Sequence, residues 1–156
     1  MPVLYVCCLM QSLFISLLIC STMSFALGQA PATGTVELTI RNIRNNQGKI
    51  LIGVYVDTES FHNKIAFKKV HIGKETLRDG VLTTTISLEP GIYGISLMDD
   101  ENYNRLMDFN LIGIPTEGFG FSNYYHRGFT QPPIEAFQFE VKAGMTRQVE
   151  VIMRYL

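Results

Sequence analysis

Cysteine and tryptophan are the most conspicuous absences from this chain. There is no tryptophan, and all three cysteines, Cys7, Cys8 and Cys20, stand near the amino terminus. The rest of the chain can form no disulfide, which excludes the cross-linked scaffolds that are common among small secreted domains. The basic residues form no stripe, and the formal net charge is −1, so nucleic acid is not an expected partner. No amphipathic helical pattern of useful length occurs, which argues against an all-helical fold.

Charge is missing from the beginning of the chain, where Glu37 is the first charged side chain. The apolar run from Leu9 to Ile19 has the length of a signal-peptide core and is short for a membrane span. Small residues follow it, and both Ala26 and Ala30 end sequences that resemble a signal-peptidase site. We therefore expect a secreted or periplasmic protein.

The expected domain organisation follows from this leader. Residues 1–30 are predicted to be a signal peptide cleaved near 26 or 30, and residues 31–156 to be one β-sandwich domain. An uncleaved leader that anchors the protein in a membrane stays open as an alternative. Lipidation of Cys20 is disfavoured, because Ile19 stands where lipoprotein signals have a small residue.

Alternation of apolar and polar residues dominates the remaining chain and indicates β-strands. Turn signals separate the runs, and the pattern favours an all-β, immunoglobulin-like antiparallel sandwich of about seven strands. The predicted strands cover residues 36–41, 50–56, 67–72, 81–88, 93–97, 137–141 and 149–155.

Several local features refine this prediction. The first two strands are expected to pair as a hairpin, with Gly48 at positive φ in the turn between them. Strand 67–72 carries lysines that suit a sheet edge. Pro90 and Gly91 are expected to form a turn with Gly91 at positive φ. A helical turn is expected near residues 58–60, capped by Thr58 or Ser60.

The long segment 99–133 is the candidate functional region, because long loops in compact domains usually serve a function or are disordered. Its first part contains Asp100, Asn102, Asn104 and Asp108 at alternate positions, with the backbone carbonyl of Leu106 between the last two. Carboxylate, amide and carbonyl oxygens at such spacing are typical of calcium loops. The sequence therefore predicts a metal site at these residues, with calcium as the candidate cofactor.

Two departures weaken the predicted calcium site. Arg105 stands where the sharp turn of a helix-loop-helix calcium loop demands Gly, and Leu111 stands where that loop has a bidentate Glu. Any site should bind calcium weakly, with a dissociation constant of roughly 10⁻⁴–10⁻³ M. The alternative is a solvated turn in which Asp and Asn side chains accept hydrogen bonds from backbone N–H groups.

The second part of the segment is aromatic and glycine-rich. Phe119 and Phe121 are expected to plug the end of the sandwich, because large apolar patches are seldom left exposed. The predicted ligand-binding residues are Glu117, Tyr124, Tyr125 and Arg127. A binding role through loop 99–129 is expected, with a glycan, a cell-envelope component or another protein as partner.

Specific catalytic motifs are absent from the sequence. The three histidines are scattered without zinc-binding spacing, and Ser122 does not lie in the G-x-S-x-G turn of a nucleophile. A non-enzymatic protein is expected. The alternatives are a small periplasmic hydrolase that uses His126, Glu117 and Asp108, and a purely structural module at the cell surface.

A long run of the sequence resembles one bacterial family. The run is Leu-Ile-Gly-Ile-Pro-Thr-Glu-Gly-Phe-Gly-Phe-Ser-Asn at 111–123, preceded by Met-Asp-Asp-Glu-Asn at 98–102 and followed by Pro132-Pro133. The turn Leu-Glu-Pro-Gly-Ile-Tyr at 88–93 and the opening strands also resemble it. The family is catalogued as the domain of unknown function number 2141.

The resemblance implies an exported protein with a transthyretin-like or carboxypeptidase-regulatory-like β-sandwich and no established activity. The acidic loop of this family typically reads Asp-Glu-Asn-Gly-Asn-Gly-x-x-Asp, and Tyr103 and Arg105 replace the two glycines in this chain. The resemblance does not extend to the transthyretin-related hydrolases, because their C-terminal Tyr-Arg-Gly-Ser is missing here.

Overall fold

The structure is a computed structural model that describes residues 32–156. The predicted leader and the three cysteines lie outside the described residues. Within 32–156, no helix has the length and apolar character needed to cross a membrane.

The described residues form eight strands and two short helices. In chain order these are β1 (Gly34–Arg41), β2 (Lys49–Tyr55), helix α1 (Thr58–His62), β3 (Lys68–Gly73), β4 (Leu82–Leu88), β5 (Gly91–Asp100), β6 (Gly118–Phe121), a 3₁₀ helix (Ile134–Ala136), β7 (Gln138–Val141) and β8 (Thr146–Ile152).

The strands build two sheets that face each other. A three-stranded sheet has the order β4-β1-β8, and a five-stranded sheet has the order β3-β2-β5-β6, with β7 pairing to β5 as well. All pairs are antiparallel except β1 with β8. The all-β sandwich predicted from the sequence is therefore confirmed, with one parallel pair in an otherwise antiparallel arrangement.

Alternating apolar side chains of the strands fill the core between the sheets, because successive side chains of a strand point to opposite faces. On β1 the buried members are Val36, Leu38 and Ile40, and on β8 they are Val149 and Val151. They pack against the buried residues of the other sheet, which include Ile50, Ile52, Val54, Tyr93, Ile95 and Leu97.

The predicted hairpin between the first two strands is wrong. β1 pairs with β4 and β8, whereas β2 pairs with β3 and β5 in the other sheet. The turn signal itself is real, since Gly48 has a φ of 72°. However, Ile43, which stands between β1 and β2 in the chain, is buried in the core. The connection therefore crosses from one sheet to the other.

The turn at Pro90 also differs from the prediction. Gly91 has no positive φ and is the first residue of β5. Because β4 and β5 belong to different sheets, this segment is a corner between the sheets and needs no tight hairpin geometry. The edge position predicted for strand 67–72 is confirmed, since β3 lies at the edge of the five-stranded sheet.

The predicted helical turn is present as α1, but its cap is neither Thr58 nor Ser60. Asp57 caps it, because its side chain accepts a hydrogen bond of 2.7 Å from the backbone N–H of Ser60. The predicted loop 99–133 is also divided, since β6 pairs with β5 in its middle. Two loop segments remain, 101–117 and 122–133.

Candidate functional site

The outer face of the five-stranded sheet forms the floor of a groove. Its residues alternate with the core residues of the same strands, so they point away from the three-stranded sheet. Two rows of cross-strand neighbours run from β3 to β6. The first row is His71, Leu51, Met98 and Phe119, and the second is Lys69, Gly53, Ser96 and Phe121.

The two loop segments border this floor and enclose a groove of about 760 Å³. That volume lies within the range of roughly 300–1,000 Å³ typical of small-molecule sites. Segment 101–117 contributes Arg105, Leu106, Met107, Phe109 and Pro115. Segment 122–133 contributes His126, Gly128, Phe129, Thr130, Gln131 and Pro132.

Arg154 holds the second loop segment in place. Its guanidinium donates hydrogen bonds to the carbonyl oxygens of His126 at 2.8 Å and of Gly128 at 2.9 Å. The same group lies 5.9 Å from the ring centre of Phe119 and 5.7 Å from that of Phe129. These contacts connect segment 122–133, one wall of the groove, with Phe119 on the floor and with Arg154 just after β8.

A second apolar cluster lies next to the groove. It consists of Tyr55, Phe61, Phe121, Ile134 and Phe137. The Phe61 ring lies 5.1 Å from Tyr55, 5.0 Å from Phe137 and 6.1 Å from Phe121 in edge-to-face contacts. This packing attaches α1 and the 3₁₀ helix to the sheet and buries Phe121. Phe121 and the half-buried Phe119 lie on the outer face of the five-stranded sheet, so the prediction that they plug the end of the sandwich is wrong.

The charged side chains of the groove all carry one sign. Lys64, Lys69 and Arg105 line it, and among the described residues no Asp or Glu side chain does. The chain as a whole has 13 basic and 14 acidic residues, so the charges are segregated at this surface.

The acidic turn, defined as residues 99–108, gathers three of the four predicted calcium ligands. The amide nitrogens of Asn102 and Asn104 donate to one oxygen of Asp108, at 2.6 and 2.9 Å. Their side-chain oxygens accept from the backbone N–H groups of Asn104 and Leu106. Asp100 accepts a hydrogen bond of 3.1 Å from the backbone N–H of Arg105. The turn therefore satisfies its own backbone, as the alternative prediction described.

Backbone geometry in the acidic turn explains the glycines of the resembled family. Tyr103 has a φ of 64° and Arg105 a φ of 63°, the left-handed region that glycine enters most easily. Both residues therefore adopt a conformation that costs free energy for a side chain. The hydrogen bonds to the neighbouring Asp and Asn side chains hold the turn in this shape.

Apart from Oδ1 of Asp99, which pairs with Lys74, two carboxylate oxygens in or beside the acidic turn have no hydrogen-bond partner within residues 32–156. They are Oδ1 of Asp100 and Oε2 of Glu117, whose residues are only 1% and 4% exposed. Burial raises the pKa of Glu117, and the charges of Asp108 and Asp100 raise it further. The backbone N–H groups of Asp108 and Glu101 act in the opposite direction on this pKa. The region thus concentrates negative charge that is poorly solvated.

A buried ion pair lies beside these carboxylates. Lys74 Nζ pairs with Oδ1 of Asp99, and both side chains are fully buried. Tyr155 donates a hydrogen bond of 2.7 Å to the other oxygen of Asp99. Burial raises the pKa of Asp99, although Lys74 and Tyr155 oppose that shift. Burial and the hydrogen bond to Asp99 raise the pKa of Tyr155, so its hydroxyl stays protonated at physiological pH.

His126 borders the groove but makes no bond with its predicted catalytic partners. Its Nε2 lies 2.6 Å from the carbonyl oxygen of Thr130, and its ring contacts Phe121 and Tyr124. The described residues show no hydrogen bond or ion pair from His126 to Glu117 or Asp108.

The predicted ligand-binding residues lie around the groove without lining it. Tyr124 packs against the second apolar cluster, and Tyr125 and Arg127 are exposed to solvent. Glu117 is buried beside the acidic turn. Their role in binding stays a prediction.

Sequence reasoning missed the apolar members of segment 101–117 that border the groove. Leu106, Met107 and Phe109 stand within and just after the acidic turn. Large apolar side chains in an otherwise polar loop were the signal that could have found them.

The described part of the chain contains no metal site built from acidic and histidine side chains alone. No group of three or more His, Cys, Asp or Glu side chains within 32–156 is placed to hold a metal ion. Any calcium site at the acidic turn must therefore also use amide oxygens, backbone carbonyls and water, which calcium accepts.

Comparison with known proteins identifies the class of this β-sandwich. Residues 38–149 match the family described as "Uncharacterized protein conserved in bacteria (DUF2141)". The match covers most of the chain, so the protein belongs to this bacterial family, and the resemblance found in the sequence is confirmed. No curated protein and no solved structure matches the chain.

The buried carboxyl of Glu117 leads to a prediction about pH. Burial raises its folded pKa above the unfolded value, so ionisation costs stability as the pH rises between those two values. We expect Glu117→Gln to raise the melting temperature in calcium-free buffer at about pH 7, with a smaller gain near about pH 4. Thermal unfolding measures both. Glu140→Gln removes an exposed carboxyl and serves as the control. A gain of equal size at both pH values would contradict the prediction.

Proposed function

We propose that the protein is an exported, non-enzymatic binding module whose 99–129 loop and neighbouring sheet face form the binding site. The observation that carries this proposal is the apolar groove with its exposed border. Leu106 is 67% exposed, Phe109 56% and Phe129 80%. Contiguous apolar surface of this kind marks interaction sites, because its exposure to water is unfavourable.

The rigidity of the groove also supports a binding role. Its floor belongs to paired strands, and Arg154 ties one wall to that floor through two hydrogen bonds. A site whose groups are already in place loses less conformational entropy when a ligand binds. The groove therefore has the properties of a preformed small-molecule site.

Export is the part of the proposal that depends on the sequence. The apolar run before Glu37 has the pattern of a cleaved leader, and no cysteine follows it. A domain without thiols suits an oxidising compartment.

We also propose that the acidic turn binds calcium weakly. The supporting observation is the pair of unpartnered oxygens on Asp100 and Glu117, since buried carboxylate oxygens normally have a hydrogen-bond or metal partner. In the acidic turn, the oxygens of Asn102 and Asn104 each keep a second lone pair beside the backbone hydrogen bond they accept. A bound cation would reduce the repulsion between these carboxylates.

A hydrolase is the alternative function, and one observation favours it. Nδ1 of His126 is buried without a hydrogen-bond partner within the described chain, and the ring borders the groove. We expect no turnover of ester or amide substrates above the buffer rate. Turnover that is lost in His126→Ala and kept in the exposed control His62→Ala would contradict the non-enzymatic proposal.

Filling the groove should abolish binding of an apolar probe. We expect the neutral dye Nile red to bind the purified domain with increased fluorescence. Ser96→Trp should weaken this binding by roughly tenfold, because an indole on the floor occupies the volume the dye needs. Thr83→Trp adds the same side chain at an exposed position of β4 and should leave binding unchanged. Absence of dye binding, or equal binding by both variants, would contradict the groove as the site.

Calcium should stabilise the protein modestly. With a dissociation constant of roughly 10⁻⁴–10⁻³ M, calcium at about 1 mM should raise the free energy of unfolding by about 0.4–1.4 kcal/mol relative to EGTA buffer. The melting temperature should then rise by roughly 1–6 °C. Asp100→Asn should remove the shift, because it replaces the unpartnered carboxylate. The control Asp79→Asn changes an exposed turn residue and should keep it. Identical melting curves of the unmodified protein with calcium and with EGTA would exclude the calcium site.

A further inference from the structure

We propose that the groove binds a free, single-chain amphiphile with an anionic head group, such as a long-chain carboxylate. This inference depends on the proposed binding function and names the chemical class of its ligand. It follows from the distribution of charge and apolar surface across the groove floor.

Along the first row of the floor, the side chains change from an imidazole on β3 to apolar groups on β2, β5 and β6. His71 stands on β3, Leu51 on β2, Met98 on β5 and Phe119 on β6. Neighbouring strands lie about 4.8 Å apart, so the apolar part of this row spans roughly 10 Å. A hydrocarbon chain lying along the row contacts apolar side chains over that length.

The second row has the same direction and supplies the charge. Lys69 of β3 is followed by Gly53, Ser96 and Phe121. Gly53 and Ser96 are small residues and leave space above the middle of the floor. A cation lies at one end of this space and aromatic rings at the other. An amphiphile fits this order with its head group at β3 and its chain directed towards β6.

Charge complementarity selects an anionic head group. Lys64, Lys69 and Arg105 reach the groove from three different parts of the fold, and no Asp or Glu side chain of the described chain lines it. None of these three makes an ion pair with another residue of 32–156. These three side chains would repel a cationic head group, and a neutral one would leave them without a charged partner.

The dimensions favour a monomeric ligand over a membrane surface. The groove is a bordered trough of about 760 Å³, and loop segments 101–117 and 122–133 rise beside its floor. A flat bilayer surface contacts the exposed rims of these segments and cannot reach Met98 on the floor. We therefore assign the groove to a free amphiphile.

Competition with Nile red tests the head group directly. Dodecanoate, dodecanol and dodecyltrimethylammonium have the same hydrocarbon chain and differ only in charge. In EGTA buffer, below their micelle concentrations, we expect dodecanoate to displace the dye at the lowest concentration and the cationic amphiphile at the highest. Raising the salt concentration should reduce the advantage of dodecanoate, because salt screens exposed charges.

A lysine variant separates the charge from the apolar surface. Lys69→Gln should weaken dodecanoate binding by roughly two- to fivefold, the range for one exposed ion pair, and leave dodecanol binding unchanged. Lys142→Gln changes an exposed lysine outside the groove and should alter neither ligand.

The outcomes distinguish this inference from the proposed function. If all three amphiphiles displace the dye equally and Lys69→Gln has no effect, the groove is an apolar site and the anionic assignment is wrong. If neither the dye nor any amphiphile binds, the proposed function fails together with this inference. Binding to vesicles of anionic phospholipid without binding to monomeric dodecanoate would also overturn the assignment.

Discussion

Strand β5 is the constraint on which the rest of the structure depends, because one of its faces closes the core and the other belongs to the groove floor. Tyr93, Ile95 and Leu97 face the three-stranded sheet and close the core, while Met98 belongs to the opposite face. The same strand pairs with β2, β6 and β7. The core and the groove floor therefore share one backbone. A distortion of β5 would disturb both, which places the site on the most constrained part of the fold.

Segment 101–117 carries charges of both signs. Its beginning and end lie beside buried carboxylates, and the charge of Asp100 raises the pKa of Glu117. Its middle contributes Arg105 and exposed apolar side chains to the groove. The cost of positive φ at Tyr103 and Arg105 is offset by the hydrogen bonds of the acidic turn. Local polar contacts thus fix a loop whose apolar residues remain free for a ligand.

Strand positions could be predicted from the sequence, whereas strand partners could not. Alternation located β1 and β2 within two residues of their observed ends, because period two follows from the pleat alone. Their assignment to a hairpin was wrong, since alternation carries no information about the neighbour across a sheet. β6 was missed because Gly-Phe-Gly-Phe is short and rich in glycine, and only its pairing with β5 makes it a strand.

By itself the sequence determined the β-class of the fold and the family, and it predicted a candidate functional segment at 99–133. Periodicity, turn residues and one long motif are enough for these conclusions, because each is a pattern of residues that are close together in the chain. Tertiary structure alone decided that Lys69, Met98 and Phe129 border one groove and that Lys74 pairs with Asp99. These contacts join residues far apart in the chain, and they arise only when two sheets pack and remove their inner faces from water.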